Sequence, residues 1–401
     1  MATIIAGHEA GPDTGSSRRA EEAAGAWLVW LLLFCSACII IGLLWDISWH
    51  MSIGRDRLWS PPHVLEQIGA SLAGLACGFV VLQTTFAGTA AQRAGTVRFW
   101  GFRGPLGGWV AIWGAFAMIF SVPFDDWWHN AYGLDVQILS PPHVVLLCGM
   151  IAIQIGAMLL ALGMQNRASD TIRGRFGLAF AIAAGALIAM AATAVSEYTL
   201  RANDWHSSLT WKVAALVFPI FLVAIGRAGR FRFPATTAAL LYMAFYLVPQ
   251  WTIIQFPATP GLTPIMNPLT HMAAFGFPLV LAVPGLGIDL VLRKADRIGD
   301  WKLAAAIGVM FVALMVAVHW PFAEFLLKSP LAQNDLFLAS HWPYSLRLGP
   351  FVSQYFGLDV DASANWSALR FMTGLAIATV IAILSARAGL AWGAWMRRVQ
   401  R

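Results

Sequence analysis

Charge is what this sequence has least of. Only 11% of its 401 residues are Asp, Glu, Lys or Arg, against about 25% in an ordinary soluble domain. That shortage excludes a water-soluble fold and a disordered chain. Cysteine is scarce as well, with four residues and no Cys-x-x-Cys-His run, so neither a disulfide framework nor a c-type haem is expected. The chain also lacks a phosphate-cradling Gly loop, a Gly-x-Ser-x-Gly elbow, a His-Glu-x-x-His run and the closely spaced His runs of membrane desaturases. The basic excess is small, 26 Lys and Arg against 20 Asp and Glu. It falls in short clusters between apolar runs, which is a membrane pattern and argues against nucleic acid as a partner.

What is present in quantity is hydrophobic surface, 59% of residues. A membrane crossing needs about 20 mainly apolar residues. Such runs occur near 27–45, 63–83, 107–123, 143–163, 176–196, 209–226, 235–254, 268–291, 303–320 and 367–386, the seventh interrupted by Pro249 and Gln250. The loops test this count. Basic clusters at Arg18/Arg19, Arg93/Arg98/Arg103, Arg167/Arg173/Arg175, Arg227/Arg230/Arg232, Arg293/Lys294/Arg297/Lys302 and Arg397/Arg398/Arg401 occupy every second connection. The positive-inside rule then places both termini in the cytoplasm, with a cell inner membrane as the expected location. The first apolar run begins late and lacks a small-residue cleavage site, so no cleavable leader is expected.

The implied fold class is an all-α integral membrane protein, a polytopic bundle of about ten transmembrane helices with a duplicated helical hairpin. Residues 1–26 are expected to form a flexible cytoplasmic tail. Residues 27–163 should hold four helices that carry the duplication, and 164–320 five more. A long external loop or lid, with a short interfacial helix near 331–339, is expected over 321–366. Residues 367–401 supply the last helix and a basic tail.

The duplication is the strongest motif. Asp46-Ile-Ser-Trp49-His50-x3-Gly54-x-Asp56-x3-Ser60-Pro61-Pro62-His63-Val64 recurs, with one residue inserted, as Asp125-Asp126-Trp127-Trp128-His129-x3-Gly133-x-Asp135-x4-Ser140-Pro141-Pro142-His143-Val144, 79–80 residues later. Each copy spans the end of an outward helix, a short loop and the start of the returning helix. Asp46 and His50 are four apart, as are Asp125 and His129, so each pair shares one helix face. In Ser-Pro-Pro-His the Ser can cap the next helix, Pro suits its first position, and His falls in its first turn. Asn267-Pro268-Leu-Thr-His271 repeats that logic.

Of nine histidines only His8 maps to the cytoplasmic side; the others map, with several carboxylates, to the outer side. A turn needs Gly and Pro, but not two His and two Asp per copy, and imidazole with carboxylate is a ligand set for zinc, copper or iron. The candidate metal ligands are therefore His50, His63, His129, His143, Asp46 and Asp125, in one shared centre or a pair. Asp56, Asp135, Asp126, His271, His206 and His319 are candidate supporting residues. Trp49 and Trp128 are candidates to contact an apolar substrate, although an interfacial aromatic belt explains many of the 19 tryptophans. Cys35, Cys38, Cys77 and Cys148 read as packing residues.

These features imply a metal-dependent oxidoreductase at the outer membrane face, with copper or iron favoured over zinc. Its partners would be the bilayer and an electron donor or other membrane subunits. The same residues also suit a zinc hydrolase, a b-type haem held by paired histidines, or a transporter or metal-handling subunit that is not an enzyme. Against transport, the span interiors carry almost no ionisable groups.

Overall fold

The structure, a computed structural model, describes residues 14–54, 57–133, 140–200, 202–259, 270–274, 276–294, 298–338 and 367–400. It is an all-α membrane bundle with one small β-hairpin. The duplicated region contains α1 (Thr14–Ser52), α2 (Pro61–Phe86), α4 (Leu106–Tyr132) and α5 (Pro141–Arg167). Between α2 and α4 lie the short α3 (Ala90–Ala94) and the antiparallel strands β1 (Val97–Phe99) and β2 (Phe102–Gly104), with Arg98 opposite Arg103. Next come α6 (Asp170–Ala194), the short α7 (Ser196–Thr199), a 3-10 turn at Ala202–His206, α8 (Ser208–Ala228) and α9 (Pro234–Ile253). The chain ends with α10 (Ala282–Arg293), α11 (Asp300–Lys328) and α12 (Ala368–Met396).

Eight of these helices are long and apolar enough to cross a membrane: α1 from Gly25, α2, α4, α5, α6 from Ile172, α8, α11 and α12. The two other expected crossings differ in character. α9 is a continuous helix of 20 residues despite Pro249 and Gln250. The run 268–291, by contrast, is helical among the described residues only from Ala282, and residues 276–280 before it are non-helical and largely buried. Gly276 has φ +119°, and Pro278 disfavours helix in Phe277 before it, so the chain is broken here by its own sequence.

Non-helical backbone at membrane depth needs polar partners from the protein, and here several helices provide them. Ser48 of α1 donates to the Ala273 carbonyl at 2.6 Å, and Ser52 accepts the Ala273 N–H at 2.7 Å. Gln250 of α9 donates to the Gly276 carbonyl at 3.2 Å. His319 of α11 accepts the Val280 N–H at 2.8 Å. The residue that made α9 doubtful as a crossing is thus one that ties down the broken segment.

The expected interfacial helix near 331–339 is not formed among the described residues. A single 3-10 turn at Pro330–Ala332 is followed by turns to Leu338. Asn334 donates to the Leu331 carbonyl and accepts the Phe337 N–H, local bonds that compete with a helix. α11 itself reaches Lys328, so the loop begins later than expected, and 339–366 lie outside the described residues.

Glycine sets the close packing of the duplicated hairpins. Gly107 and Gly114 of α4 meet Gly156 and Gly149 of α5, with each added Cβ falling within 3 Å of the facing backbone. Asn166, near the end of α5, donates to the Met396 and Val399 carbonyls, which places the end of α12 on the same basic face as the end of α5. The two His/Asp motifs occupy the opposite face.

Candidate metal centre

Each motif copy closes on its own aspartate. In the second, His129 Nε2 and His143 Nε2 each lie 3.5 Å from Asp125 Oδ1. These three donor atoms lie within 4.8 Å of one another and could hold a metal ion, the one such group among the described residues. Four ligands at about 2.05 Å around a tetrahedral metal are spaced about 3.3 Å apart, close to the separations seen here. In the first copy the imidazoles approach opposite oxygens: His63 Nε2 is 3.3 Å from Asp46 Oδ1, and His50 Nε2 is 3.7 Å from Asp46 Oδ2.

Local sequence explains why these groups meet. Asp125 and His129 share the last turns of α4, and Gly133 ends that helix with φ +87°. The first copy ends α1 in the same way, with Gly54 at φ +104°. The return helices then begin Pro-Pro-His, with Pro at the first two positions and Ser60 or Ser140 at the cap. One expectation fails here, because neither Ser side chain caps its helix. A Ser cap normally accepts from the second or third amide, and Pro62 or Pro142 has removed the second. Both hydroxyl oxygens are buried without a hydrogen-bond partner.

His129 carries the most informative bond. Its Nδ1 lies 2.9 Å from the Gly133 carbonyl, an acceptor only, so Nδ1–H donates. A neutral ring then has its lone pair at Nε2, facing the Asp125 oxygen. Two lone pairs at that distance need a proton or a cation between them. A backbone carbonyl that orients the far nitrogen is also the usual support for a ligating histidine.

The aromatic surroundings of the two copies differ. Trp49, with Trp45 and Ile53, packs against Ile253, Ala258 and Met272, while the His50 side chain beside it stays half exposed. Trp128 belongs to a ladder along the outside of α4, in contact by way of Trp113, Phe116, Phe120, Phe124 and Tyr132 with ring centroids 4.6–6.4 Å apart at each step. Trp113, Phe116 and Phe120 are exposed and face the space that lipid would fill.

Asp126 is exposed and accepts a hydrogen bond from Asn130. His271 is exposed, bridges to Pro257 and has Thr270 Oγ1 3.0 Å from its Nδ1. His206 packs on Trp320, with centroids 4.1 Å apart. His319 lies between Trp205 and Trp211; its Nδ1–H donates to the Met315 carbonyl at 2.8 Å while Nε2 accepts from Val280. Both of its nitrogens hold backbone, so its place is in the architecture of the broken segment. Asp56 and Asp135 lie outside the described residues.

The sequence reading missed two features: the Gly133 carbonyl and the phenylalanines of the α4 ladder. An (i, i+3/i+4) aromatic count along α4 would have found the second.

Compared with protein families, curated proteins and solved structures, the chain matches none.

Proposed function

We propose that the protein is a metal-dependent membrane oxidoreductase in which Asp125, His129 and His143 hold a transition-metal ion and an apolar substrate arrives from the lipid along α4. The convergence of those three donors carries the reading. Two imidazoles and one carboxylate with open positions are the donor set of non-haem iron oxygenases, and the set also accepts copper(II). Bound there, the metal would supply one-electron redox chemistry. Asp125 balances part of its charge, and the Gly133 carbonyl fixes the His129 ring.

The same donors serve zinc hydrolases. Hydrolysis, however, acts on a polar bond, whereas the exposed aromatic face of α4 suits an apolar substrate. A b-type haem suits the geometry less well, because the Asp125 carboxylate lies between the two imidazoles where the macrocycle would have to pass. For transport, the broken segment is the one supporting feature, and Ser48, Ser52, Gln250 and His319 all hold its backbone.

Metal analysis and an optical spectrum of detergent-purified protein test the proposal, beside D125N and the H129A/H143A variant. Iron or copper in stoichiometric amount, reduced in both variants, supports it. Zinc would redirect the search to hydrolysis, and a Soret band to electron transfer. Folded protein without metal would overturn the ligand assignment and leave the motif as a structural loop.

A further inference from the structure

Away from the His/Asp motifs, the basic face carries a small two-sided ribbon, the β1–β2 hairpin between α2 and α4. Arg98 of β1 stands opposite Arg103 of β2, and Phe99 opposite Phe102. Residues directly opposite in an antiparallel pair share one side of the ribbon, so the arginines take one side and the phenylalanines the other. The phenylalanine side packs on the helices. Phe99 meets Trp109 and Trp113 of α4 with ring centroids 5.4 and 6.3 Å apart, and Phe102 meets Phe86 of α2 at 6.1 Å. Thr85 of α2 accepts the Arg103 N–H at 2.8 Å and fixes the ribbon in place.

The turn of this hairpin has an unusual composition. Its two central residues, Trp100 and Gly101, have φ of +47° and +85°. A turn of that kind matches hairpin twist and ordinarily takes Asn, Asp or Gly at its first central position. Tryptophan there carries the steric cost of the left-handed region. Because Trp100 is 77% exposed, burial within the chain does not offset that cost. Its ring stacks on Phe99 at 4.8 Å and meets the edge of Trp113 at 5.9 Å. Trp113 lies about 10 Å along α4 from its start at Leu106, on the exposed side. The tip therefore sits beside the first turns of a membrane span, the level that tryptophan favours.

Charge identifies what this surface would meet. Residues 67–124 contain Arg93, Arg98 and Arg103 and no Asp, Glu or Lys. Like charges directly opposite on a ribbon repel, and among the described residues no carboxylate forms an ion pair with any of the three. Arg103 donates to the Arg93 carbonyl at 3.4 Å, one of its five donors, and Arg98 is exposed. Two guanidiniums side by side can share one phosphate. A zwitterionic headgroup would bring a cation that finds no acid here. The exposed rings alongside suit acyl chains rather than a free anion.

We propose that the β1–β2 hairpin binds anionic phospholipid of the leaflet it faces, with Arg98 and Arg103 holding the headgroup phosphate and Trp100 and Trp113 bordering the chains. The site lies at the other end of α4 from Asp125 and His129 and does not depend on how the His/Asp motifs are read.

Native mass spectrometry of detergent-purified protein tests it, with phosphatidylglycerol and phosphatidylcholine of the same acyl chains in competition. Wild-type protein should retain phosphatidylglycerol in preference. R98Q/R103Q should reduce that preference by at least about tenfold. R397Q/R398Q, which removes the same charge from the same face after α12, should leave it unchanged. R98Q alters only an exposed side chain and should act in the same direction if the double variant fails to fold. W100N suits the left-handed turn and should weaken retention of both lipids. Equal retention of the two lipids by wild-type protein, or an undiminished preference in folded R98Q, would overturn the proposal. An equal loss in R397Q/R398Q would also overturn it, because the preference would then belong to the whole basic face. Displacement of phosphatidylglycerol by inorganic phosphate alone would overturn the lipid assignment, and unchanged retention in W100N would overturn the part given to Trp100.

Discussion

Gly114 of α4 and Gly149 of α5 touch backbone to backbone: a Cβ on Gly114 would lie 2.7 Å from the Gly149 carbonyl, and one on Gly149 would lie 2.8 Å from the Gly114 carbonyl. Gly107 and Gly156 repeat the relationship seven residues away on each helix, toward the basic face. This crossing fixes the distance between the helices that deliver Asp125 and His143. G149A must push them apart, because backbone cannot yield as a flexible side chain does, at a cost of about 1–3 kcal/mol. The expected outcome is a lowered melting temperature and weaker metal binding at Asp125/His129/His143, measured by thermal unfolding in detergent and by Co(II) titration. Retained affinity would show that the donors do not depend on this crossing.

Gly133 gives a sharper test of the same centre. Its φ of 87° with ψ of −163° is a conformation open essentially to glycine alone, and a side chain there costs about 1–3 kcal/mol. The strain falls on the carbonyl that receives the His129 Nδ1–H. G133A should therefore reduce metal affinity at Asp125/His129/His143, while G54A, at φ +104°, should leave that affinity unchanged. Unchanged metal affinity in folded G133A would mean that this glycine serves the loop only.

Much of this arrangement was legible in the sequence, and the reason is local. Asp and His four apart, a Gly at the helix end and a Pro-Pro-His start are short-range signals, and each produced the local geometry it implies. What escaped depended on neighbours distant in the chain. The run 268–291 has the hydropathy of a helix, and only the partners offered by Ser48, Ser52, Gln250 and His319 make its broken form tolerable. The failed Ser60 and Ser140 caps are different, since the prolines that remove the second amide were visible from the start.

The structure gives His319 a different task from the one its sequence position suggested. Because Nδ1–H donates to Met315 and Nε2 accepts from Val280, H319A leaves a buried amide without an acceptor and opens a cavity beside Trp205. The two effects together should destabilise the protein by about 3 kcal/mol. H319Q, which retains an acceptor, should recover part of the loss. Metal content per folded molecule should stay at the wild-type level in both variants. Loss of metal from folded H319Q would return His319 to the site.

His206, in the 3-10 turn between α7 and α8, links stability to pH. Burial lowers its pKa below the ordinary value of 6.5; the Trp320 backbone and the Glu324 carboxylate oppose that effect more weakly, and Lys328 adds to it. A histidine whose folded pKa is depressed binds its proton more readily in the unfolded chain. Its contribution to stability is therefore complete above the unfolded value and declines as pH falls from about 6.5 toward the folded value. Melting temperatures measured between about pH 5 and pH 8 should fall on the acid side of that window. H206F, which fills the place beside Trp320 with a ring that cannot take a proton, should flatten the slope there. An acid slope unchanged in folded H206F would assign the dependence to other groups, and D125N with H129A/H143A would then show whether the His/Asp centre supplies it.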